Sequence, residues 1–285
     1  MAWTERRLNS HFAVELTGPK LSLDLPQRER DAVYEAVIRE GVVVVRNQDL
    51  TDDELETFAA SLGRVLSYGE IGNNLPNVLP ITNVGRDGKL LSADDDLMRA
   101  SVANMLWHID STYTKPRATV SMLLAKVLPP TGGNTEFCDL RHAWENLSPQ
   151  EQASFRGMTA SHSIIHSRTL TGYDDWTDEI RAKLPSIDRP LVREHEETGR
   201  TALLIASHIE SLTGLSTQET VALVKDLTAR ATTPDNVYSH AWQPGDLLLW
   251  DNRCVMHRAT PYEMDKYPRD VRTARLVDVA EMAAA

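Results

Sequence analysis

Apolar positions repeat with a helical period in only a few segments of the chain. Residues 27–40 place their apolar side chains on one stripe and are followed by Gly41, which predicts an amphipathic helix. Thr51 and Glu54 have the spacing of a capping box, so a second helix is expected to begin there and run to about Leu62. The same spacing predicts two later helices, one after Ser148 and one over 217–230, after Ser216.

Short apolar runs of strand length dominate the rest of the sequence. They are residues 42–45, 119–128, 201–206, 246–250 and 271–279. The strands and helices do not alternate as βα units, so a mainly antiparallel β architecture decorated with helices is expected. Residues 243–246 (QPGD) predict a type II turn. No repeat or linker divides the chain, which predicts a single domain over residues 1–285.

Composition narrows the class of protein. The chain of 285 residues has 30 Lys and Arg against 41 Asp and Glu, a net charge of −11. This acidic balance disfavours nucleic acid and anionic membranes as partners, and no apolar run approaches the roughly 18 residues of a membrane span. The N-terminus lacks a secretory pattern, so we expect a cytoplasmic protein. Two cysteines, Cys138 and Cys254, exclude a disulfide scaffold and a Cys-rich zinc site.

The segment with the clearest chemical potential is residues 106–110 (LWHID). Side chains at positions i and i+2 of a strand point to the same face, so His108 and Asp110 could bind one metal ion. A second imidazole would complete the two-histidine, one-carboxylate set of non-haem Fe(II) oxygenases, which leaves open positions on the metal. His257, which follows an apolar strand and a tight turn, is either that ligand or an ordinary histidine at a strand end.

Two further His-x-Glu patterns compete with this one. His195 and Glu197 lie in EHEETGR, which predicts a solvated turn at Gly199. His208 and Glu210 follow an apolar run, so His208 either lines a pocket or has a structural role.

Seven stretches of the sequence resemble one known family, in order along most of the chain. They are residues 41–48 (GVVVVRNQ), 81–89 (ITNVGRDGK), 104–113 (NMLWHIDSTY), 129–147, 190–200, 242–263 and 268–276. The family is that of the Fe(II)/2-oxoglutarate-dependent dioxygenases of the TauD/TfdA type, and the chain looks most similar to its aryloxyalkanoate branch. The resemblance implies a double-stranded β-helix (jelly-roll) core with helices packed outside.

The resemblance also implies the residues of the active site. By position, His108, Asp110 and His257 match the iron ligands, and Thr135 and Arg269 match the residues that bind 2-oxoglutarate. A guanidinium suits a carboxylate because it donates two parallel charge-assisted hydrogen bonds. The implied reaction consumes O2, hydroxylates an aliphatic C–H of a small anionic substrate and releases succinate and CO2. In an aryloxyalkanoate, ether cleavage would follow.

The substrate side departs from the family pattern. Many members have a second arginine four residues after the first, where this chain has Thr273. Arg275 lies on the same strand face as Arg269 and could bind the substrate anion, support the cofactor carboxylate or form a structural ion pair. The other candidate substrate contacts are Asn104, Ile109, Tyr113 and His208.

Three alternatives remain open at this point. The same chemistry could act on an alkyl sulfonate, an alkyl sulfate or an amino-acid derivative. The chain could also be a non-catalytic ligand-binding jelly roll, or a zinc hydrolase, since two His and one carboxylate also suit zinc. The partner is expected to be a small molecule, a homo-oligomer is left open, and residues 66–80 and 168–188 are expected to determine the substrate.

Overall fold

The computed structural model describes residues 3–22, 24–67 and 75–283, and it is mainly β with helices around the sheets. The described strands are β1 Thr4–Arg7, β2 Val14–Thr17, β3 Val42–Val45, β4 Leu79–Thr82, β5 Ala118–Val127, β6 Thr135–Asp139, β7 Thr159–His162, β8 Ile187–Pro190, β9 Val192–Glu194, β10 Thr201–Leu203, β11 Ile209–Leu212, β12 Val237–His240, β13 Leu247–Asp251, β14 Val255–Ala259 and β15 Asp270–Val277.

Helices of very different lengths surround these strands. In the described ranges they are α1 Gln27–Glu40, α2 Asp52–Leu62, α3 Asp96–Ser101, α4 Leu140–Glu145, α5 Pro149–Phe155, α6 Ile164–Thr169, α7 Asp178–Lys183, α8 Thr217–Ala231 and α9 Val279–Ala283. Two 3-10 turns cover Val102–Met105 and Pro234–Asn236. Within the described residues, no helix has the length and apolar character needed to cross a membrane.

The largest sheet has seven strands in the order β1-β2-β3-β13-β5-β15-β4. Its neighbouring strands are antiparallel except for β2 and β3, which run in parallel. A separate three-stranded sheet has the order β12-β6-β14, and a further three-stranded and a two-stranded sheet complete the described β structure. The expected mainly antiparallel architecture with decorating helices is confirmed.

The two faces of the large sheet belong to different apolar cores. Val43 and Leu249 belong to a cluster with residues of α1 and α2, so this face packs on helices. Val44 and Leu248, one position along each strand, belong to a second cluster that includes Phe137 of the small sheet. Because side chains alternate along a strand, the face opposite the helices is turned toward the small sheet, where the site described below lies.

Most of the predicted long elements are confirmed. Helix α1 spans the predicted residues 27–40, and α8 ends one residue beyond the predicted 217–230. All three capping boxes form, each with the hydroxyl and the carboxylate bonded to reciprocal backbone amides, as the pairs Thr51–Glu54, Ser148–Glu151 and Ser216–Glu219. The 243–246 turn also forms, with Asp246 N donating to Gln243 O and Gly245 at a φ of +76°.

Two predicted strands are too long. Residues 204–206 are buried but leave the ladder after Leu203, because Leu204 N donates to Leu191 O outside any strand pair. The last strand ends at Val277 rather than 279. There the side chain of Asp278 accepts from Ala280 N, which favours the start of α9.

The solvated-turn prediction for His195 is wrong. The turn itself forms and Gly199 has a φ of +66°, but the His195 side chain is buried and its Nε2 lies 2.9 Å from Asp251 Oδ2. Arg253 donates to both oxygens of Asp251. Burial opposes ionisation of Asp251, yet the His195 hydrogen bond and the Arg253 charge hold its pKa well below the usual range. The histidine therefore belongs to a buried polar network.

A buried ion pair connects the end of α1 to the small sheet. The Arg141 side chain is fully buried, donates to both oxygens of Asp139, and donates to the carbonyls of Arg39 and Glu40. Removing one partner of such a pair leaves an uncompensated charge.

We therefore expect Arg141→Met to lower the free energy of unfolding by about 3–5 kcal/mol, because Asp139 loses its partner. Urea unfolding measures the change. The matched control is Arg230→Met, which breaks the exposed pair with Glu151 and should cost at most about 1 kcal/mol. Equal losses in the two variants would contradict the structural role of Arg141.

Candidate active site

A backbone bridge joins the two histidines predicted as metal ligands. His108 N donates to His257 O at 2.9 Å, and His257 N donates to His108 O at 2.8 Å. The pair is an isolated antiparallel bridge, so His108 does not lie on a regular strand as predicted, and Asp110 lies at the start of a turn. Directly opposite residues of an antiparallel pair have neighbouring side chains on one face. The two imidazole centroids are accordingly 4.2 Å apart.

The two carboxylate oxygens of Asp110 have different neighbours. Oδ1 lies 3.9 Å from His108 Nε2 and 3.8 Å from His257 Nε2. Oδ2 accepts a hydrogen bond from Ser121 Oγ at 2.7 Å and lies 3.6 Å from Arg275 Nε. One oxygen therefore faces the imidazoles, while the other is held by the large sheet.

Asn252 connects this carboxylate to the rest of the sheet. Its Nδ2 donates to Ser121 Oγ at 2.8 Å, and its Oδ1 accepts from Trp250 Nε1 at 3.0 Å and from Asp110 N at 3.3 Å. Both the side chain and the backbone of Asp110 are thus fixed by one buried amide. Such contacts orient a metal ligand and restrict its rotamers.

Burial and charge set the protonation states of the three groups. Burial opposes ionisation of Asp110, but the Arg275 guanidinium and the two imidazoles hold the pKa of this carboxyl well below its usual range. Burial, followed by the charge of the His108 ring, lowers the pKa of His257 to about 3. The pKa of His108 is also lowered, mainly by burial. The stable form is therefore one carboxylate with two neutral imidazoles, which is the form that binds a metal ion.

These residues fit a divalent metal ion. The potential ligand atoms of His108, Asp110 and His257 all lie within 4.8 Å of one another. His108 Nδ1 lies 2.8 Å from Leu106 O, which favours the proton on Nδ1 and leaves the Nε2 lone pair directed toward Asp110. Two imidazoles and one carboxylate are the ligand set of non-haem Fe(II) oxygenases.

Arg269 is predicted to bind 2-oxoglutarate beside the metal ligands. It is 8% exposed, and its backbone N donates to Asn83 Oδ1 at 2.7 Å. Its Nε is buried without a hydrogen-bond partner, and no carboxylate of the described residues lies within 4.0 Å of its guanidinium. A buried cation without a counter-ion is unfavourable, so this position fits a ligand carboxylate. Thr135 is buried in the same cavity, and its hydroxyl accepts from Trp242 Nε1 at 3.1 Å.

The cavity that unites these groups encloses about 510 Å³ of empty space, including its mouth. It lies between the large sheet and the small sheet. Its polar lining is Asn104, His108, Asp110, Thr135, His257, Arg269, Thr273 and Arg275, and its apolar lining is Ile81, Leu123, Trp250, Ala259 and Val271. Every second residue from Arg269 to Arg275 lines it, as the predicted strand face requires.

The structure distinguishes among the other residues predicted to contact the substrate. Asn104 lines the cavity. Ile109 is 2% exposed and packs in the apolar core, because it points away from the face shared by His108 and Asp110; its position does not support the predicted substrate contact. His208 is buried with its ring centroid 5.9 Å from that of His108, and Tyr113 lies 4.7 Å from His208. His208 therefore lies next to His108, and Tyr113 lies next to His208.

Ser121 and Asn252 are not identified by the sequence patterns. Ser121 is a polar residue inside the apolar run of β5, which is a weak signal for a buried hydrogen bond. Asn252 follows β13 and has no local pattern that indicates its partners. Their roles depend on contacts between distant segments.

A second group of potential ligands, formed by His11, His142 and Asp235, lies at the surface. The two imidazoles stack at 4.0 Å, and His11 and Asp235 are exposed. Unlike the first group, it lies outside the cavity that contains Arg269.

Comparisons with known proteins agree with this geometry. The family model "Taurine catabolism dioxygenase TauD, TfdA family" matches residues 5–275. An alpha-ketoglutarate-dependent 2,4-dichlorophenoxyacetate dioxygenase of Cupriavidus pinatubonensis is 37% identical over 279 residues, which cover 96% of this chain and 97% of the relative. A (S)-phenoxypropionate/alpha-ketoglutarate-dioxygenase of Sphingobium herbicidovorans is 34% identical over 265 residues, which cover 90% and 89%.

A solved structure is similar over nearly its whole length. The crystal structure of AAD-2 in complex with Mn(II) and N-oxalylglycine aligns with a TM-score of 0.90 and 34% identity, covering 97% of each chain. The resemblance found in the sequence is thereby confirmed. The chain belongs to the TauD, TfdA family and is a 2-oxoglutarate-dependent dioxygenase.

Proposed function

We propose that this dioxygenase uses Fe(II), 2-oxoglutarate and O2 to hydroxylate the carbon beside the ether oxygen of an aryloxyalkanoate. The observation that carries the proposal is a single cavity that combines the His108, Asp110 and His257 cluster with the unpaired Arg269 guanidinium. The relatives that act on 2,4-dichlorophenoxyacetate and phenoxypropionate support this substrate class.

The protein residues divide the work of binding and orientation. His108, Asp110 and His257 would hold Fe(II), which supplies O2 activation coupled to the oxidative decarboxylation of 2-oxoglutarate to succinate and CO2. Ser121 and Asn252 keep Asp110 directed toward the imidazoles. The apolar walls of the cavity limit water near the reacting carbon.

The products follow from atom balance. One oxygen atom of O2 enters succinate, and the other enters the substrate as a hydroxyl group. On a carbon that already bears an ether oxygen, the product is a hemiacetal. Its C–O bond breaks to release a phenol and an aldehyde or keto acid, so the ether is cleaved without a hydrolytic residue.

We also infer that the large sheet and the β12-β6-β14 sheet form a double-stranded β-helix, or jelly roll, within a single domain over residues 1–285. In support, both sheets contribute to one apolar core and to the lining of one cavity. The helices α1 and α2 pack on the outer face of the large sheet.

The substrate class is tested by substrate-triggered succinate release from the purified protein with Fe(II), 2-oxoglutarate and O2. The panel contains phenoxyacetate, both enantiomers of 2-phenoxypropionate, an alkyl sulfonate and an alkyl sulfate. We expect stimulation by at least one aryloxyalkanoate, with a phenol released in step with succinate. Stimulation only by the sulfonate or sulfate would contradict the proposed substrate.

The role of Arg269 in binding 2-oxoglutarate gives a separate expectation. Arg269→Met should raise the KM for 2-oxoglutarate by about 30-fold or more, because the distal carboxylate loses a buried charged partner. The control is Arg272→Met, since Arg272 belongs to the opposite strand face and pairs with Asp270 at 2.8 Å. An unchanged KM in Arg269→Met, or an equal rise in the control, would refute this role.

A further inference from the structure

Three arginines lie at or beside the active-site cavity, and the contacts of two of them already suggest a role other than substrate binding. Arg269 fits the distal carboxylate of 2-oxoglutarate, as argued above. Arg275, which the sequence made a candidate for substrate recognition, lies with its Nε 3.6 Å from Asp110 Oδ2. This contact favours a role in positioning the carboxylate of a metal ligand. A different cation is then needed for the carboxylate of the substrate.

The third arginine, Arg168, does not itself line the cavity, but it contacts Asn104, which does. It lies near the end of α6, where its carbonyl accepts from Thr171 N at 3.0 Å and from Tyr173 N at 3.2 Å. Its Nη2 lies 3.4 Å from the Oδ1 of Asn104, which itself lines the cavity. The backbone is therefore fixed, and the contact with Asn104 holds the guanidinium beside the cavity.

Arg168 is close enough to the metal-ligand cluster for its charge to influence the imidazoles. Burial is the main cause of the lowered pKa of His108, and the positive charge of Arg168 lowers it further. The same charge acts on His208, whose pKa is lowered first by burial and also by neighbouring rings. Burial lowers the pKa of the Arg168 guanidinium, and Tyr113 and Asp110 partly oppose this shift.

Arg168 has no ion-pair partner in the part of the chain that the structure describes. None of the described carboxylates lies within 4.0 Å of its guanidinium, although the side chain is partly buried. The neighbouring Arg181 illustrates the contrast, because it is exposed and pairs with Asp174 at 2.9 Å. A partly buried cation beside a cavity, without a counter-ion, has the character of an anion-binding group.

The chemistry of the proposed substrate restricts where the group that binds its carboxylate can lie. In an aryloxyacetate the carboxylate is bonded directly to the carbon that is hydroxylated. Its binding group must therefore lie near the metal ligands. Asn104, which contacts Arg168, lines the same cavity as these ligands. On β15 the position that holds a second arginine in many family members is Thr273, which cannot provide this charge.

We propose that Arg168 binds the carboxylate of the substrate, with Asn104 orienting the guanidinium. This inference rests on the proposed function and adds its specificity-determining residue. It assigns recognition of the substrate anion to α6, a helix outside the two facing sheets. Strand β15 instead provides Arg269 for 2-oxoglutarate and Arg275 for the carboxylate of Asp110. The enzyme would thus select small carboxylates over uncharged ethers through a residue far from β15 in sequence.

The test compares phenoxyacetate with 2-phenoxyacetamide, an uncharged analogue of similar shape, in wild type and Arg168→Met. We expect kcat/KM for phenoxyacetate to fall by about 30-fold or more, mainly through KM, because a charged partner is lost. The kcat/KM for phenoxyacetamide and the KM for 2-oxoglutarate should change little. Arg168→Lys should recover part of the loss for phenoxyacetate, since it keeps the charge.

Controls separate recognition from folding. Arg181→Met removes a nearby exposed arginine and should leave the KM for phenoxyacetate unchanged. Thermal unfolding and the KM for 2-oxoglutarate report whether each variant retains its fold and cofactor site. If Arg168→Met does not fold, the Arg168→Lys comparison decides, because the shorter cation should raise the KM for phenoxyacetate relative to wild type and leave the KM for phenoxyacetamide unchanged.

Three results would overturn the inference. An unchanged KM for phenoxyacetate in both Arg168 variants would exclude the anion contact. Equal losses for phenoxyacetate and phenoxyacetamide would indicate a structural role only. A wild type that turned over no aryloxyalkanoate would contradict the proposed function and this inference with it. The first two results leave the proposed function intact, so the two failures are distinguishable.

Discussion

The site depends on one pair of backbone hydrogen bonds, those between His108 and His257. This bridge closes a long stretch of intervening chain and places both imidazoles on one face. Strand β14 then pairs with β6 in a register that sets His257 opposite Phe137 and Ala259 opposite Thr135. Because directly opposite residues share a face, the same register brings Thr135 into the cavity. The proposed metal and cofactor sites therefore depend on the pairing of two short strands and one bridge.

The carboxylate of Asp110 shows how the large sheet contributes. One oxygen faces the imidazoles, and the other is held by Ser121 and lies near Arg275. A buried carboxylate without such partners would be protonated or displaced. The contacts compensate for burial and leave one oxygen available, so the strand side chains determine which atom can reach a metal ion.

The long and capped elements could be predicted from local pattern, but the short ones could not. Helices α1, α2 and α8 have a period or a capping box that is legible within a few residues. Helices α3, α4, α6 and α7 have six residues each, too few to establish a helical period. This limit matters for function, because α6 contains Arg168.

The residues of the candidate site also fall into those that the sequence could predict and those that it could not. The resemblance to a family identified the residues that the structure brings into one cavity, and their spacing alone left alternatives open. His195 looked solvated because its local sequence is polar, whereas its partner Asp251 is 56 residues away. Ser121 and Asn252 likewise meet across 131 residues. Contacts of this kind depend on strand register, which a single sequence does not display. The expectation for 66–80 is open in part, since residues 68–74 lie outside the described ranges.

The most direct test of the central claim is the visible absorbance of the protein after anaerobic addition of Fe(II) and then 2-oxoglutarate. If His108, Asp110 and His257 hold Fe(II) while Arg269 and Thr135 bind the keto acid, a metal-to-ligand charge-transfer band should develop. It should be absent with Zn(II) and strongly reduced in a folded Asp110→Ala variant. A folded wild-type protein that develops no band, or an Asp110→Ala variant with a band of equal intensity, would contradict the assignment.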